Sequence, residues 1–563
     1  MSRHPFAAAL FATSLLTAYA PALDASACGG TFCDLGPAGT PTMPVDQRGE
    51  NILFVMRDGW VEAHVQILYT GDPDKFAWIV PVMTVPEISA GSDPLFANLL
   101  ASTVPTFTLD TRFEPCDDRG GGIACMAFAP GRDASAGFGD EGGAEPPGTP
   151  DVVARGVAGA FEYAVLDGGT VDGVVRWLDD NGYAQEDEAP SILAEYLDEG
   201  FVFVAFKLLG GTGIDEIHPV VIRYQGTEPC VPIRLTRVAA EPDMGIRVFF
   251  LDRHRVVPTN FRHVEINPLL IDWPRLGANY EEVVTLAVDA PGSDGHGFVT
   301  EYAGPSDIVP TAGIHRWSWD AERFLGIDPT VVVAELRAQG LVTCDSETCV
   351  YEHPLVRGLL ARYLPRPVGV TEENFYACLS CYAELIDLEA WSDEGFAQAL
   401  AERIIEPAKH AVDLLDELPY LTRMYTTLSP HEMTKDPFFH ANPDLPDVDK
   451  DFRATRVFNC EGPDFIELDD GRRIALDPAN GRPETMPWAG RIEEIPERGA
   501  PMTVNDLEDE IEDARRDWNH LQGLDDDSGC SCRSSRRRWD GALWLGLSFG
   551  FAWLASRRRR PTA

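Results

Sequence analysis

Cys378-Leu379-Ser380-Cys381 is the segment of this sequence whose residue types most invite chemistry. A redox CxxC needs its first thiol at the start of a helix, where the dipole favours the thiolate. Here Phe375, Leu379, Tyr382 and Ile386 run an apolar stripe at helical spacing straight through the motif. The pattern predicts one helix over 372–388 with both cysteines inside it. In that setting the pair reads as a structural disulfide, and thiol oxidoreductase chemistry is the lesser alternative. A zinc site needs a second close pair, and only Cys344-x4-Cys349 stands near.

Asp447, Asp449 and Asp451 form the D-x-D-x-D that opens an EF-hand loop. Phe452 occupies the position that requires glycine, and Phe458 the position of the bidentate glutamate. The three aspartates stay as calcium candidates in a looser loop, against a plain solvated acidic stretch. Gly210-Gly211-Thr212-Gly213 lacks dinucleotide and P-loop spacing and reads as a turn. His431-Glu432 lacks the second histidine of a zinc protease, and the histidines do not cluster along the chain. His64 falls on the polar side of an alternating strand and reads as a surface histidine. There is no Gly-x-Ser-x-Gly elbow. A triad assembled from distant residues is recognised only by geometry, so an envelope hydrolase remains an alternative.

These residues sit on elements that the apolar patterning outlines. An apolar run over 52–56, a turn at Arg57-Asp58-Gly59 and strict alternation over 61–69 predict a β-hairpin. Further strands are predicted over 76–82, 201–208, 220–224, 233–239 and 246–251. Ser92-Asp93-Pro94 opens a short helix, and helices are predicted over 171–180 and 191–198. Residues 129–151, rich in Gly, Ala, Pro and acid, read as a flexible loop. From residue 328 the pattern turns helical, over 331–338, 355–364, 372–388 and 396–418. A hairpin around Asp469-Asp470-Gly471 and a charged helix over 504–521 follow. The expectation is an α+β fold with a β-rich first half and a more helical second half.

The formal net charge is −44, and the C-terminal end, 530–563, is far richer in arginine than in acid, so residues 28–529 are more acidic still. Such a surface repels nucleic acid and anionic headgroups. Hydrophobic content of 44 % excludes global disorder.

The ends address the chain. Residues 6–20 are apolar and uncharged, and Ala25-Ser26-Ala27 fits signal-peptidase cleavage, which makes 1–27 a secretory signal peptide. Ten cysteines then lie in an oxidising compartment. The expected disulfides join Cys28–Cys33, Cys116–Cys125, Cys344–Cys349 and Cys378–Cys381, leaving Cys230 with Cys460. At the other end, an acidic linker (525–532) ends in Gly529-Cys530-Ser531-Cys532, followed by an apolar stretch over 541–555 and Arg557–Arg560. Those features, in that order, resemble the MYXO-CTERM tail of myxobacterial surface proteins. The resemblance implies a sorting protease, cleavage near Cys530 and lipid on that cysteine. A plain single-pass anchor over 533–563 is the alternative, and both place the domain outside the cytoplasm.

The body carries a second resemblance. ACGGTFC (27–33), AHVQILYTGDPDKFAWIVP (63–81), VPIRLTR (231–237) and YLTRMYTTLSPHEMTKDPFF (420–439) look like the secreted bacterial domain-of-unknown-function family 2330. The resemblance spans most of 27–460 and implies location and class without an activity. Within it Trp78 reads as core, and Arg423, Glu432 and Asp436 as a buried ionic cluster or a surface pair. The organisation expected is an exported region over 28–460, a hairpin and charged helix over 461–524, then the tail. The expected function is non-enzymatic binding or structure at the envelope. A hydrolase and a calcium-dependent adhesion module are the alternatives. No cofactor is expected, calcium excepted, and no nucleic acid.

Overall fold

The computed structural model describes residues 47–524, apart from 58, 68–76, 115–148, 184–187, 210–215, 239, 346, 461 and 478–480. The expected signal peptide (1–27), Cys28, Cys33, Cys116, Cys125, residues 210–213, most of 129–151, Cys530 and the apolar stretch 541–555 lie outside the described residues. Among the described residues no helix is long and apolar enough to cross a membrane.

The hairpin read from 52–69 is the centre of the molecule. The strands Gln47–Arg57 and Trp60–Ile67 pair antiparallel, with Arg57 opposite Trp60. Gly59 closes the turn at φ +80°, a conformation that favours glycine. The first strand also pairs in parallel with Ala240–Asp252. From these grows a ten-stranded mixed sheet. Beyond Ala240–Asp252 it runs through Tyr420–Leu428, Gly297–Pro305, Arg262–Ile266 and Ala489–Glu494 to Met502–Asp506. Beyond Trp60–Ile67 it ends on Val220–Gln225 and Glu87–Ala90.

The apolar run 52–56 is continuous because its strand is covered on both faces. Ile52 and Phe54 pack into a sandwich against a four-stranded sheet, where Val80, Phe161, Val204 and Phe206 meet them. Leu53 and Val55 point the other way, into a helical layer. That layer includes the helices Asp93–Thr103, Val332–Ala338, Leu355–Tyr363 and Asp393–Leu400. The far face of the small sheet is covered in turn by the helices Val171–Asp180 and Ala189–Asp198. The order of layers is therefore helices, large sheet, small sheet, helices. Each fully buried Phe or Leu contributes about 1.5–3 kcal/mol of burial.

The fold is mixed α/β and strand-rich, and the second half is less helical than its sequence pattern implies. Two of the sheet's inner strands, Gly297–Pro305 and Tyr420–Leu428, belong to it. Residues 233–236 form a short helix, not a strand, because Pro232 sets the entry and Ile233 and Leu235 bury on a turn. Val504 lies in the edge strand Met502–Asp506, and the charged helix starts later, at Glu508–Gln522.

The CxxC is not inside a continuous helix. The helix Glu372–Ala377 stops at Cys378, whose φ −147° and ψ 72° are not helical, and a 3-10 segment Leu379–Leu385 follows. Cys378 bonds to Cys381 across that break, and Cys344 bonds to Cys349. The expected Cys230–Cys460 pair is not formed. Cys230 is a free thiol at the apolar cleft between the two sheets, beside Phe54, Val80 and Tyr224. Cys460 is disulfide-bonded, and its sulfur lies 3.4 Å from the Glu114 carbonyl.

Candidate metal centre

The strand Trp60–Ile67 alternates, so its two faces have opposite chemistry. Val61, Ala63 and Val65 enter the sandwich core. Glu62, His64 and Gln66 therefore face the helical layer. A strand with one polar face ordinarily turns that face to water. Here a long helical run covers it: Asp393–Leu400, a π turn over Ala401–Ile405, then Glu406–Glu417. His64 is consequently 2 % exposed, contrary to its reading as a surface histidine.

The π turn widens the helix by one residue at the point where Arg403 reaches the buried Glu216, at 2.8 Å. Seven residues on, two helical turns, His410 lands over Glu62. One carboxylate oxygen, Glu62 Oε1, meets His64 Nε2 at 2.7 Å and His410 Nε2 at 2.5 Å. The two imidazoles lie nearly parallel, 12° apart with centroids 5.9 Å apart. Glu62 and His64 are buried, whereas the His410 side chain keeps 41 % of its surface. The cluster is thus closed from the sheet side and reachable past His410.

Its electrostatics are set by that arrangement. Burial works against a charged Glu62, but the hydrogen bonds and charges of the two imidazoles outweigh it and hold the carboxyl well below the usual range. The bond to Glu62 raises His410 above an ordinary histidine, against the effect of burial. His64 Nδ1, on the other side of its ring, is buried without a hydrogen-bond partner. The polar face continues through Asn51 Nδ2, which donates to Gln66 Oε1 at 2.9 Å. Gln66 in turn points at Asp93, whose carboxyl burial pushes up to about 7 against that hydrogen bond.

Two imidazole nitrogens and one carboxylate oxygen mutually within 4.8 Å form a three-point donor set. It is the one grouping of three such donors among the described residues. Histidine nitrogens with a carboxylate suit zinc and its first-row neighbours. Calcium takes oxygen donors throughout, so this set does not suit it.

The aspartates singled out in the sequence do not converge. Asp447 accepts from the Tyr420 hydroxyl at 2.7 Å, and Asp449 accepts from the Asp451 amide at 3.1 Å. Asp451 pairs with Lys450 at 3.0 Å and takes the Thr106 hydroxyl. Arg423, Glu432 and Asp436 are likewise apart. Arg423 pairs with Glu301, Asp436 pairs with Arg234 at 2.9 Å, and Glu432 accepts from the Ser429 amide at 2.7 Å. His431 is exposed. The Glu62–His64 half of the donor set was visible as two same-face positions of one strand. His410, 348 residues beyond Glu62, had no local signal.

A family model described as uncharacterized protein conserved in bacteria (DUF2330) matches residues 24–327, more than half of the chain. Glu62 and His64 fall within the matched residues and His410 beyond them. No curated protein and no solved structure matches.

Proposed function

We propose a function from one premise: this chain belongs to the family of uncharacterized proteins conserved in bacteria, DUF2330. The protein is exported, is held at the cell envelope by its C-terminal end, and binds a divalent cation of the zinc class there. The observation that carries the reading is the convergence of Glu62, His64 and His410 from two elements far apart in sequence. Three protein donors leave a coordination position on the His410 side, where the cluster meets solvent. Export and anchoring rest on the residue patterns of the two ends, 1–27 and 525–563.

The test is thermal melting and calorimetric titration of the exported chain with zinc, cobalt(II) and nickel, with calcium and magnesium as controls. A ligand at a hundredfold excess over its dissociation constant adds about 2.7 kcal/mol, so zinc is expected to raise the melting temperature by a few degrees. Cobalt(II) bound by two imidazoles and a carboxylate is expected to show visible absorption. His410→Ala, at a half-exposed position, should abolish both responses while the metal-free protein still folds. No response to any of the three transition metals, or an unchanged response in His410→Ala, would overturn the reading. A response to calcium alone would move the site to an all-oxygen cluster.

A further inference from the structure

The same helical run serves a second cluster, of opposite sign to the protein as a whole. Against a net charge of −44, the helix Leu355–Tyr363 and the chain leaving it place Arg357, Arg362 and Arg366 along one cleft of roughly 600 Å³. Its floor is Glu216, only 6 % exposed. That one carboxylate faces two guanidinium groups, Arg403 at 2.8 Å and Arg362 at 3.7 Å. The wall helix closes onto the floor because residue 358 is glycine: a Cβ there would stand 2.4 Å from Glu216 Cγ. Arg357 pairs with Glu372 at 3.1 Å, and Arg366 donates to the Val370 carbonyl at 3.1 Å. Among the described residues four guanidinium groups thus meet two carboxylates, and Arg362 makes a long contact to Glu216 while keeping 30 % of its side-chain surface.

A carboxylate that neutralises only half the cations around it orients them without satisfying their donors. Planar guanidinium forks match carboxylate, phosphate and sulfate in geometry as well as charge. The remaining lining is apolar or neutral, with Ala361, Pro365, Val368 and Tyr376. The volume exceeds that of a bare anion and falls in the range of small-molecule sites. We infer that this cleft binds a small organic oxyanion, a sugar acid or a phosphate ester, with its anionic group held between Arg362 and Arg366 and its body against the neutral wall. The surrounding acidic surface repels anions generally, so binding selects for a ligand that reaches the guanidinium groups.

The experiment is isothermal titration of the exported chain at low ionic strength with glucuronate, glucose 6-phosphate, inorganic phosphate and, as the neutral control, glucose. The two anionic sugars are expected to bind, phosphate more weakly, and glucose not at all. A charge-assisted hydrogen bond contributes about 1.5–3 kcal/mol, so Arg362→Gln and Arg366→Gln are each expected to weaken binding about tenfold or more. Zinc binding at Glu62, His64 and His410 should be unchanged in both variants, which separates failure of this site from failure of the metal reading. Absence of binding by every oxyanion, or equal affinity in wild type and both variants, would overturn the inference.

Discussion

Arg423→Met is expected to destabilise the protein by about 3–5 kcal/mol, the cost of leaving a buried charge without its partner. Arg423 is 3 % exposed and Glu301 2 %. Their strands pair antiparallel, but the register slips between Thr300 and Tyr302, so Glu301 is the extra residue of a bulge. The bulge aims its carboxylate at the Arg423 Nε, while Arg423 also donates to Thr103 Oγ1 at 3.1 Å and lies over the Phe249 ring. Removing the guanidinium leaves the Glu301 carboxylate buried without its cation, beside the Tyr280 hydroxyl. Removing the carboxylate with Glu301→Leu strands the guanidinium instead. The double variant strands neither and replaces the pair with apolar volume, a change that is often close to neutral. Urea denaturation of the wild type, both single variants and the double variant therefore should show a double variant more stable than either single one. Additive losses would mean that the two side chains act independently.

Patterning carried the sequence reading where one element's own residues decide the outcome. The run 52–56 and the alternation after it fix a hairpin whose faces can be assigned residue by residue. Ser92-Asp93-Pro94 starts its helix for local reasons. Where a partner distant in sequence decides, the reading fails in a consistent direction. His64 looked exposed because the rule for a polar strand face assumes water opposite, and a helix more than 300 residues away occupies that space. The apolar stripe through Cys378 is real, since Phe375 and Leu379 are both buried. It is met by two short segments joined at a non-helical cysteine, which periodicity alone cannot tell from one helix. The aspartates 447, 449 and 451 drew notice for spacing, yet each is spent on a neighbour that the sequence does not place beside it. The candidate site was legible as donor types on one strand face, and illegible in its third member.

A single helical run thus positions both proposed sites. Arg403 and His410 stand seven residues apart, about two α-helical turns, and so fall on one face of the run. Arg403 draws Glu216 under the arginine cleft, and His410 closes Glu62 under the imidazoles.

Close to that run, His218 gives the protein an acid-sensitive joint. It is 1 % exposed and bridges the two sheets: Nε2 accepts from the Ala160 amide at 2.8 Å, and Nδ1 donates to the Pro219 carbonyl at 2.7 Å. Both contacts require the neutral ring. A proton on Nε2 would face an N–H donor in a fully buried site, with Arg403 near. Burial first, and the arginine after it, lower this histidine from 6.5 to about 4, although the Pro219 carbonyl works the other way. The folded value lies below the unfolded one, so between the two the unfolded chain holds more protons. The neutral ring's contribution is complete above pH 6.5 and is lost as pH falls to about 4, amounting to about 3 kcal/mol. His353, also lowered to about 4 by burial and by the neighbouring His218, titrates in the same window. His218→Gln keeps one acceptor and one donor and cannot titrate. The wild type should therefore exceed this variant in stability by about 3 kcal/mol more at pH 7.5 than at pH 4, measured by urea denaturation across that range. A pH-independent gap would show that His218 contributes through packing alone. The part of the slope that survives in His218→Gln, and falls again when His353 is also replaced, would measure the second ring.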